Sequence, residues 1–492
     1  MSEEQSQQST LALDDDLRRA ERDFLRRYPD YQRTARLDDL RRTDYARLDR
    51  LGQVYLDYTG AGLYADSQLR AHFDLLRTSV LGNPHSDNPA SAASSEQVTV
   101  AREAVREYFN ASDGEYEVIF SANATGALKL LGEAYPFGPG GAYLLAYDNH
   151  NSVNGIREFA RRKGAAVHYV PVRAPDLRLD EELLVRALAE VGSGSDRLFA
   201  YPAQSNFSGV QHSLRLIGDA QALGWDVLLD CAAYVPTNRL DLGVLKPDFV
   251  ALSFYKMFGY PTGVGALIAR REKLRKLQRP WFAGGTITVV SVQDATWHRL
   301  APGVAAFEDG TVDFLAAPAV AYGLRHLQRV GIDDVHLRTQ LLTAWLLEEL
   351  TQLRHTNGAH IVRILGPQTM DRRGATFALH LLDDGGRTFD LYAAEVAAGR
   401  QGISVRTGCF CNPGAGEVAN DIAKEDMGLC FRDLRREMSL RECQKAIGDA
   451  TGKVPNAIRV SLGLASTFSD AWRFVQFAAS YRDRPGPSPY LS

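Results

Sequence analysis

Residues 252–267 read Leu252-Ser253-Phe254-Tyr255-Lys256-Met257-Phe258-Gly259-Tyr260-Pro261-Thr262-Gly263-Val264-Gly265-Ala266-Leu267. An apolar run ends at Lys256, a glycine-bounded turn follows, and a second apolar run leaves the turn. An amine leaving a buried strand end is partly desolvated, which lowers its pKa and equips it to form a Schiff base with an aldehyde. A solvated loop lysine carries the same local signature, so the reading of Lys256 depends on what else the chain places beside it.

Upstream of this stretch, short β-type runs alternate with helical patterns from Val54 to Arg270. The runs are Val118 to Ser121, Tyr143 to Ala146, Val167 to Val172, Leu198 to Tyr201, Val227 to Asp230, Phe249 to Ser253 and Gly265 to Ala269. Helical spacing covers Ala124 to Ala134, Asn154 to Lys163, Asp180 to Val191 and Leu214 to Leu223. This alternation predicts an α/β fold with a largely parallel sheet covered by helices, whose ligands collect at the carboxyl ends of the strands. Beyond about Ala316 the pattern changes to a long helix, Val335 to Leu353, and strand-like pieces at Ile361 to Leu365, Ala375 to Leu382, Ile403 to Arg406 and Ile458 to Leu462. A smaller α+β domain is expected there. The expected organisation is an arm over 1–50, a large domain over 51–316, a small domain over 317–481 and a loose tail over 482–492.

The 492 residues, 45% hydrophobic and 24% charged, are enough to bury a large core. A formal net charge of -4 offers no basic field for nucleic acid or anionic membrane, which leaves a small molecule or a protein as the expected partner. Met1 to Asp16 is polar and acidic without the basic and apolar regions of a signal peptide, so a cytoplasmic location is expected. Five cysteines, Cys231, Cys409, Cys411, Cys430 and Cys443, are too few and too clustered for a secreted disulfide framework, and reduced thiols are expected.

Four further groups fall at predicted strand ends. Ser121-Ala122-Asn123-Ala124-Thr125-Gly126 opens a helix, so backbone N–H groups around Ala124 and the Thr125 hydroxyl can hold a phosphate; a plain capped turn reads the same way. His150 lies just past Tyr143 to Ala146, where an imidazole can stack on an aromatic cofactor and relay protons, or be a surface group. Asn206 follows Leu198 to Tyr201 and can hydrogen-bond a phenolate oxygen, or simply serve a turn. Asp230 ends the run Trp225-Asp226-Val227-Leu228-Leu229-Asp230, where a carboxylate is costly unless something cationic meets it. A protonated pyridine nitrogen would do so, as would an arginine. Phosphate turn, stacking His, ring-oxygen Asn, ring-nitrogen Asp and Schiff-base Lys, in that order at successive strand ends, together describe a pyridoxal phosphate pocket.

With these residues in place, the chain resembles the pyridoxal phosphate enzymes of aminotransferase class V, in the NifS-like cysteine desulfurase branch, and within it the amino-terminal domain of the molybdenum cofactor sulfurases. The resemblance is carried by Val54-Tyr55-Leu56-Asp57-Tyr58 with Gly60-Ala61-Gly62, by Gly82-Asn83-Pro84-His85-Ser86, by Ser253-Phe254-Tyr255-Lys256, by Phe307-Glu308-Asp309-Gly310-Thr311, and by Arg406-Thr407-Gly408-Cys409-Phe410-Cys411-Asn412-Pro413-Gly414. Tyr255 stands where the broader desulfurases usually have His, as in the sulfurase branch. The resemblance implies a fold type I architecture with a large and a small domain. It implies phosphate binding by Thr125 and Ser253, with Thr311 reaching the phosphate from a second subunit, and hence a homodimer.

The same resemblance makes Arg459 the holder of a substrate carboxylate, with Asn206 in the substrate site, and Cys411 the nucleophile on a mobile loop made electropositive by Arg406. The implied reaction converts L-cysteine, or a related sulfur amino acid, to alanine and a Cys411 persulfide, with Lys256 shifting the proton. No metal is expected, and the sulfur acceptor is left open. Two alternatives stand beside this reading. One is a class V enzyme of another reaction type, a C–S lyase or a transaminase. The other is a protein in which Cys409, Cys411, Cys430 and Cys443 ligate a metal.

Overall fold

The computed structural model describes residues 3–192, 194, 196–432 and 437–486, with side chains described from residue 15 onward. Its centre is a seven-stranded sheet built from Tyr116–Ser121 (β1), Ala142–Ala146 (β2), Ala166–Val170 (β3), Arg197–Pro202 (β4), Asp226–Asp230 (β5), Phe249–Ser253 (β6) and Gly265–Arg270 (β7). The order across the sheet is β1-β7-β6-β5-β4-β2-β3. Strand β7 runs antiparallel to both of its neighbours and the rest run parallel. All seven strands coincide with apolar runs read from the sequence, because a sheet covered on both faces demands apolar side chains through its central strands, while the edge strand β3 leaves Ala166 and His168 exposed.

The burial shows this directly. Along β1, Val118 and Phe120 enter one core while Ile119 enters another; along β2, Ala142, Leu144 and Ala146 face the first and Tyr143 and Leu145 the second. Each fully buried Leu, Val or Phe contributes about 1.5–3 kcal/mol relative to exposure. Helix Ala124–Ala134 begins and ends where the sequence pattern puts it, capped by Asn123, whose Oδ1 accepts from Gly126 N at 2.9 Å. The helix expected over Asn154 to Lys163 is instead two pieces, Asn151–Asn154 and Ile156–Arg162, separated at Gly155.

The second sheet is antiparallel. It contains Val362–Leu365 (β8), Thr376–Leu381 (β9), Arg406–Gly408 (β10) and Ala457–Ser461 (β11) in the order β8-β9-β11-β10. The expected strand over Ile403 to Arg406 is split: Ile403–Ser404 leaves this sheet and pairs in parallel with Val54–Tyr55. Packing crosses the boundaries drawn from sequence. Val54 and Leu56 enter the core of the small sheet, whereas Ala317, Val320 and Leu324 of helix Ala317–Val330 enter the core of the large one.

The N-terminal arm packs on both bodies. Phe24 stacks on Phe468 with centroids 4.7 Å apart, while Leu37, Tyr45 and Leu48 join the large core. Arg41 is buried and donates to Asp470 Oδ2 at 3.0 Å and to Ala465 O. The tail was expected to be loose, yet its first residues are anchored: Asp483 Oδ1 accepts from Thr356 N at 2.8 Å and Asp483 N donates to His355 Nδ1 at 2.9 Å. Residues 487–492 of the tail lie outside the described residues.

Cys430 and Cys443 form a disulfide, which corrects the expectation of reduced thiols for this pair. They stand 13 positions apart in sequence and their Cα atoms lie 5.2 Å apart, within bonding reach of a disulfide. No described helix is long and apolar enough to cross a membrane.

Because Arg41 and Asp470 are both buried, removing the carboxylate leaves a desolvated guanidinium with, among the described residues, only the exposed Asp49 to balance it. Asp470→Ala is expected to cost about 3–5 kcal/mol. A urea titration of folding checks this as a lowered midpoint with an unchanged slope.

Candidate active site

A cavity of about 150 Å³ opens at the carboxyl ends of the parallel strands. Thr125, His150, Asn206, Asp230, Ser253 and Lys256 all line it, with Ala124 at its edge. These side chains come from the ends of β1, β2, β4, β5 and β6, so the sheet itself gathers groups spread over more than a hundred residues of sequence.

One end of the cavity is a cluster of donors. Ser253 Oγ accepts from Ala124 N at 2.8 Å, and Thr125 Oγ1 lies 2.7 Å from Ser152 Oγ, so both hydroxyls sit at the first turn of helix Ala124–Ala134. Gly265 makes this corner possible: a Cβ there would lie 2.5 Å from the carbonyl carbon of Asn123, forcing the helix away from β7. A helix N-terminus with two hydroxyls is suited to a phosphate.

At the other end sits Asp230, buried, with Ala232 N donating to its Oδ1 at 3.0 Å and no ion-pair partner among the described residues. The arginine that could have answered this carboxylate is therefore not what meets it. Lys256, one turn past β6, is half-buried between the two ends. Burial holds its ammonium below the ordinary lysine range, Asp230 opposes that shift, Arg459 reinforces it and Cys411 opposes it. His150 is likewise pushed down by burial, against the pull of Asp230. Its Nδ1 accepts from Ser152 N at 3.1 Å, which leaves the proton on Nε2 in the neutral ring.

Cys411 and Arg459 belong to the small sheet's side of the site. Arg459 on β11 is buried; its Nη2 donates to Asp57 Oδ1 at 2.9 Å, its Nη1 to Asn206 O at 3.1 Å, and its Nε has no hydrogen-bond partner. An unpaired buried guanidinium donor is an open place for an anion. Arg406, expected to make the cysteine loop electropositive, binds Asp57 through Nε and Nη2; Asp57 also pairs with Arg459, so one carboxylate faces two guanidiniums and the group keeps a net positive charge. Cys411 is exposed on its loop, whose backbone closes on the cavity: Asn206 Nδ2 donates to Phe410 O at 2.7 Å and Asn151 N to Cys411 O at 2.7 Å. Both ends of the Asn206 amide are thus engaged with this loop, since its Oδ1 accepts from Asn412 Nδ2 at 3.0 Å.

Phe410 and Cys411 both have φ of 56°, a left-handed conformation that costs roughly 1–2 kcal/mol per residue. Gly414 lets the following turn pack tightly, for a Cβ there would lie 2.4 Å from Tyr147 O. Cys409 is half-buried and burial pushes its thiol up, which makes it a poorer thiolate donor.

Thr311 is not brought to the cavity. Its hydroxyl accepts from Asn83 Nδ2 at 3.4 Å on an exposed loop of the same chain. The four-thiol metal site is not built either, because Cys430 and Cys443 are bonded to each other. Sequence reading missed Asp57, which holds two arginines, and Asp148, Asn412 and His212, which form a buried polar chain behind the cysteine loop. Asp148 carried a usable signal: like His150, it lies just past the end of β2.

The sequence matches the family described as aminotransferase class-V over residues 54–474. The chain belongs to that family. It is 36% identical to a molybdenum cofactor sulfurase of Solanum lycopersicum over 475 residues, covering 90% of this chain and 57% of that protein. It is 34% identical to the molybdenum cofactor sulfurase of Arabidopsis thaliana, covering 92% of this chain and 59% of that one. The chain therefore spans less than two thirds of the length of these class V relatives. A cysteine desulfurase of Thermococcus onnurineus shares the fold, with a TM-score of 0.72 at 20% identity over 90% of this chain and 97% of that chain.

The low pKa of Lys256 has a measurable consequence. The unprotonated amine forms as pH rises through the pKa, and burial places that pKa below the ordinary 10.5. Capture of pyridoxal phosphate by the protein is expected to rise with pH and level off below the range where a free lysine does. Lys256→Ala is expected to abolish the Schiff-base absorbance, and borohydride trapping with peptide mapping checks both.

Proposed function

We propose that the protein is a pyridoxal phosphate-dependent cysteine desulfurase that leaves the sulfur of L-cysteine as a persulfide on Cys411. The observation that carries this reading is the placement of an exposed thiol on a loop bonded to Asn206 and Asn151 at the mouth of the cavity that holds Lys256. A transaminase or lyase of this architecture would have no use for a nucleophile there.

The residues present fit the cofactor. Thr125, Ser253 and the start of helix Ala124–Ala134 suit its phosphate, Asp230 suits a protonated ring nitrogen, and Lys256 suits its aldehyde. Pyridoxal phosphate supplies an electron sink for bonds broken at the bound amino acid. Arg459, with its unpaired Nε, receives the substrate carboxylate. Lys256, its ammonium destabilised by burial, takes the proton from the substrate Cα. The Cys411 thiolate attacks the substrate sulfur: an S–S bond forms, the C–S bond breaks with its electron pair left on Cβ, and Cβ gains a proton. L-cysteine and one thiol thus become alanine and one persulfide, with atoms and electrons balanced. His150, neutral with its proton on Nε2, borders the same cavity and acts as hydrogen-bond donor and proton relay.

We further propose a homodimer in which Thr311 serves the partner's phosphate site. Support comes from the exposed apolar side chains of Trp281, Val289, Val292 and Trp297 on the segment leading to Thr311, a surface that a monomer would leave in water. The relatives are sulfurases of the molybdenum cofactor, and we take an acceptor of that kind as the destination of the Cys411 sulfur.

Incubation of the purified protein with pyridoxal phosphate and L-cysteine is expected to release alanine and add one sulfur to Cys411 by mass spectrometry. Cys411→Ala is expected to lose the persulfide and at least about 100-fold in alanine turnover. Release of pyruvate and sulfide in place of alanine would replace this reading with a C–S lyase.

A further inference from the structure

The cysteine loop is held in a conformation that its own residues disfavour. Two successive non-glycine residues, Phe410 and Cys411, lie in the left-handed region, and such backbone persists only where surrounding bonds over-determine it. One of those bonds is the donation from Asn206 Nδ2 to Phe410 O. An amide can donate there only if it is held the right way round, and Asn412 holds it: its Nδ2 reaches Asn206 Oδ1 at 3.0 Å and Asp148 Oδ1 at 2.6 Å, which uses both of its hydrogens. The Oδ1 of Asn412 accepts from Ala415 N at 3.3 Å and caps helix Pro413–Ala419, so the residue after the nucleophile is engaged at both ends.

Asp148 anchors this chain of bonds. It is completely buried, at 0% exposure, and accepts from Ser205 Oγ at 2.7 Å as well as from Asn412, while its Oδ2 meets His212 Nε2 at 2.9 Å. Burying a carboxylate this deeply is justified only by a full set of donors, and here one of them belongs to the loop that carries the thiol. Asp148 and His212 are both buried and neither is among the residues that line the cavity.

We propose that Asp148, fixed by His212 and Ser205, is a positioning residue for the cysteine loop: through Asn412 and Asn206 it latches Phe410 and Cys411 in their left-handed conformation and so keeps the thiol at the mouth of the Lys256 cavity. The catalytic consequence rests on the desulfurase reading, while the latch itself rests on the hydrogen bonds alone.

The test uses the 492-residue chain loaded with pyridoxal phosphate, with hydrogen exchange of peptides covering 409–419 read alongside alanine turnover. Asp148→Ala and Asn412→Ala are each expected to speed exchange in that segment by at least about tenfold while the strands of the large sheet exchange as before. Alanine turnover is expected to fall about 10- to 100-fold with KM for L-cysteine held within about twofold, as a misplaced nucleophile predicts. Asn412→Asp sets a carboxylate against Asp148 and is expected to loosen the loop more than Asn412→Ala. Unchanged loop exchange in Asn412→Ala or in Asp148→Ala overturns the proposal. Should the native protein release no alanine, the desulfurase reading fails, and the exchange data still decide the latch.

Discussion

Burial of the seven-stranded sheet on both faces is the constraint from which the rest of this molecule follows. With helices above and below, the interior of the central strands admits apolar side chains only, and polar groups are displaced to the strand ends. The ends of parallel strands point one way, so Asn123, His150, Asn206, Asp230 and Lys256 come to one rim without any local attraction among them. The antiparallel insertion of β7 between β1 and β6 completes the rim. It brings Ser253 against the start of helix Ala124–Ala134, where Gly265 provides the clearance.

The electrostatics of that rim are set by desolvation more than by pairing. Lys256 and His150 are both pushed toward their neutral forms by burial, and Asp230 opposes this in each case. Arg459 is pushed the same way by burial and kept charged by Asp57, which also binds Arg406. Asp57 follows the short strand Val54–Tyr55, whose partner Ile403–Ser404 leads directly into β10. A single carboxylate near the start of the chain therefore sets the orientation of two arginines near its end.

Strain and support coincide at the cysteine loop. Two left-handed residues would relax to ordinary backbone in isolation, and the bonds that prevent this come from three different parts of the chain: Asn151, Asn206 and Asn412 with Asp148 behind it.

The sequence by itself determined the seven strands of the large sheet, the helix that opens at Ala124, and the members of the cavity that sit at strand ends. These are legible because apolar periodicity is local and because a charged residue closing an apolar run stands out as an exception. Only the tertiary structure decided the rest. It took Arg406 from the cysteine loop and gave it to Asp57, closed Cys430 on Cys443, left Thr311 outside its own chain's cavity, and turned Asn206 toward Phe410. It also built the chain from His212 through Asp148 to Asn412, whose members stand 64 and 264 residues apart in sequence. Each of these outcomes depends on which long-range neighbour wins a hydrogen-bonding group. That choice is made by the packing of distant elements, where local sequence pattern carries no information about it.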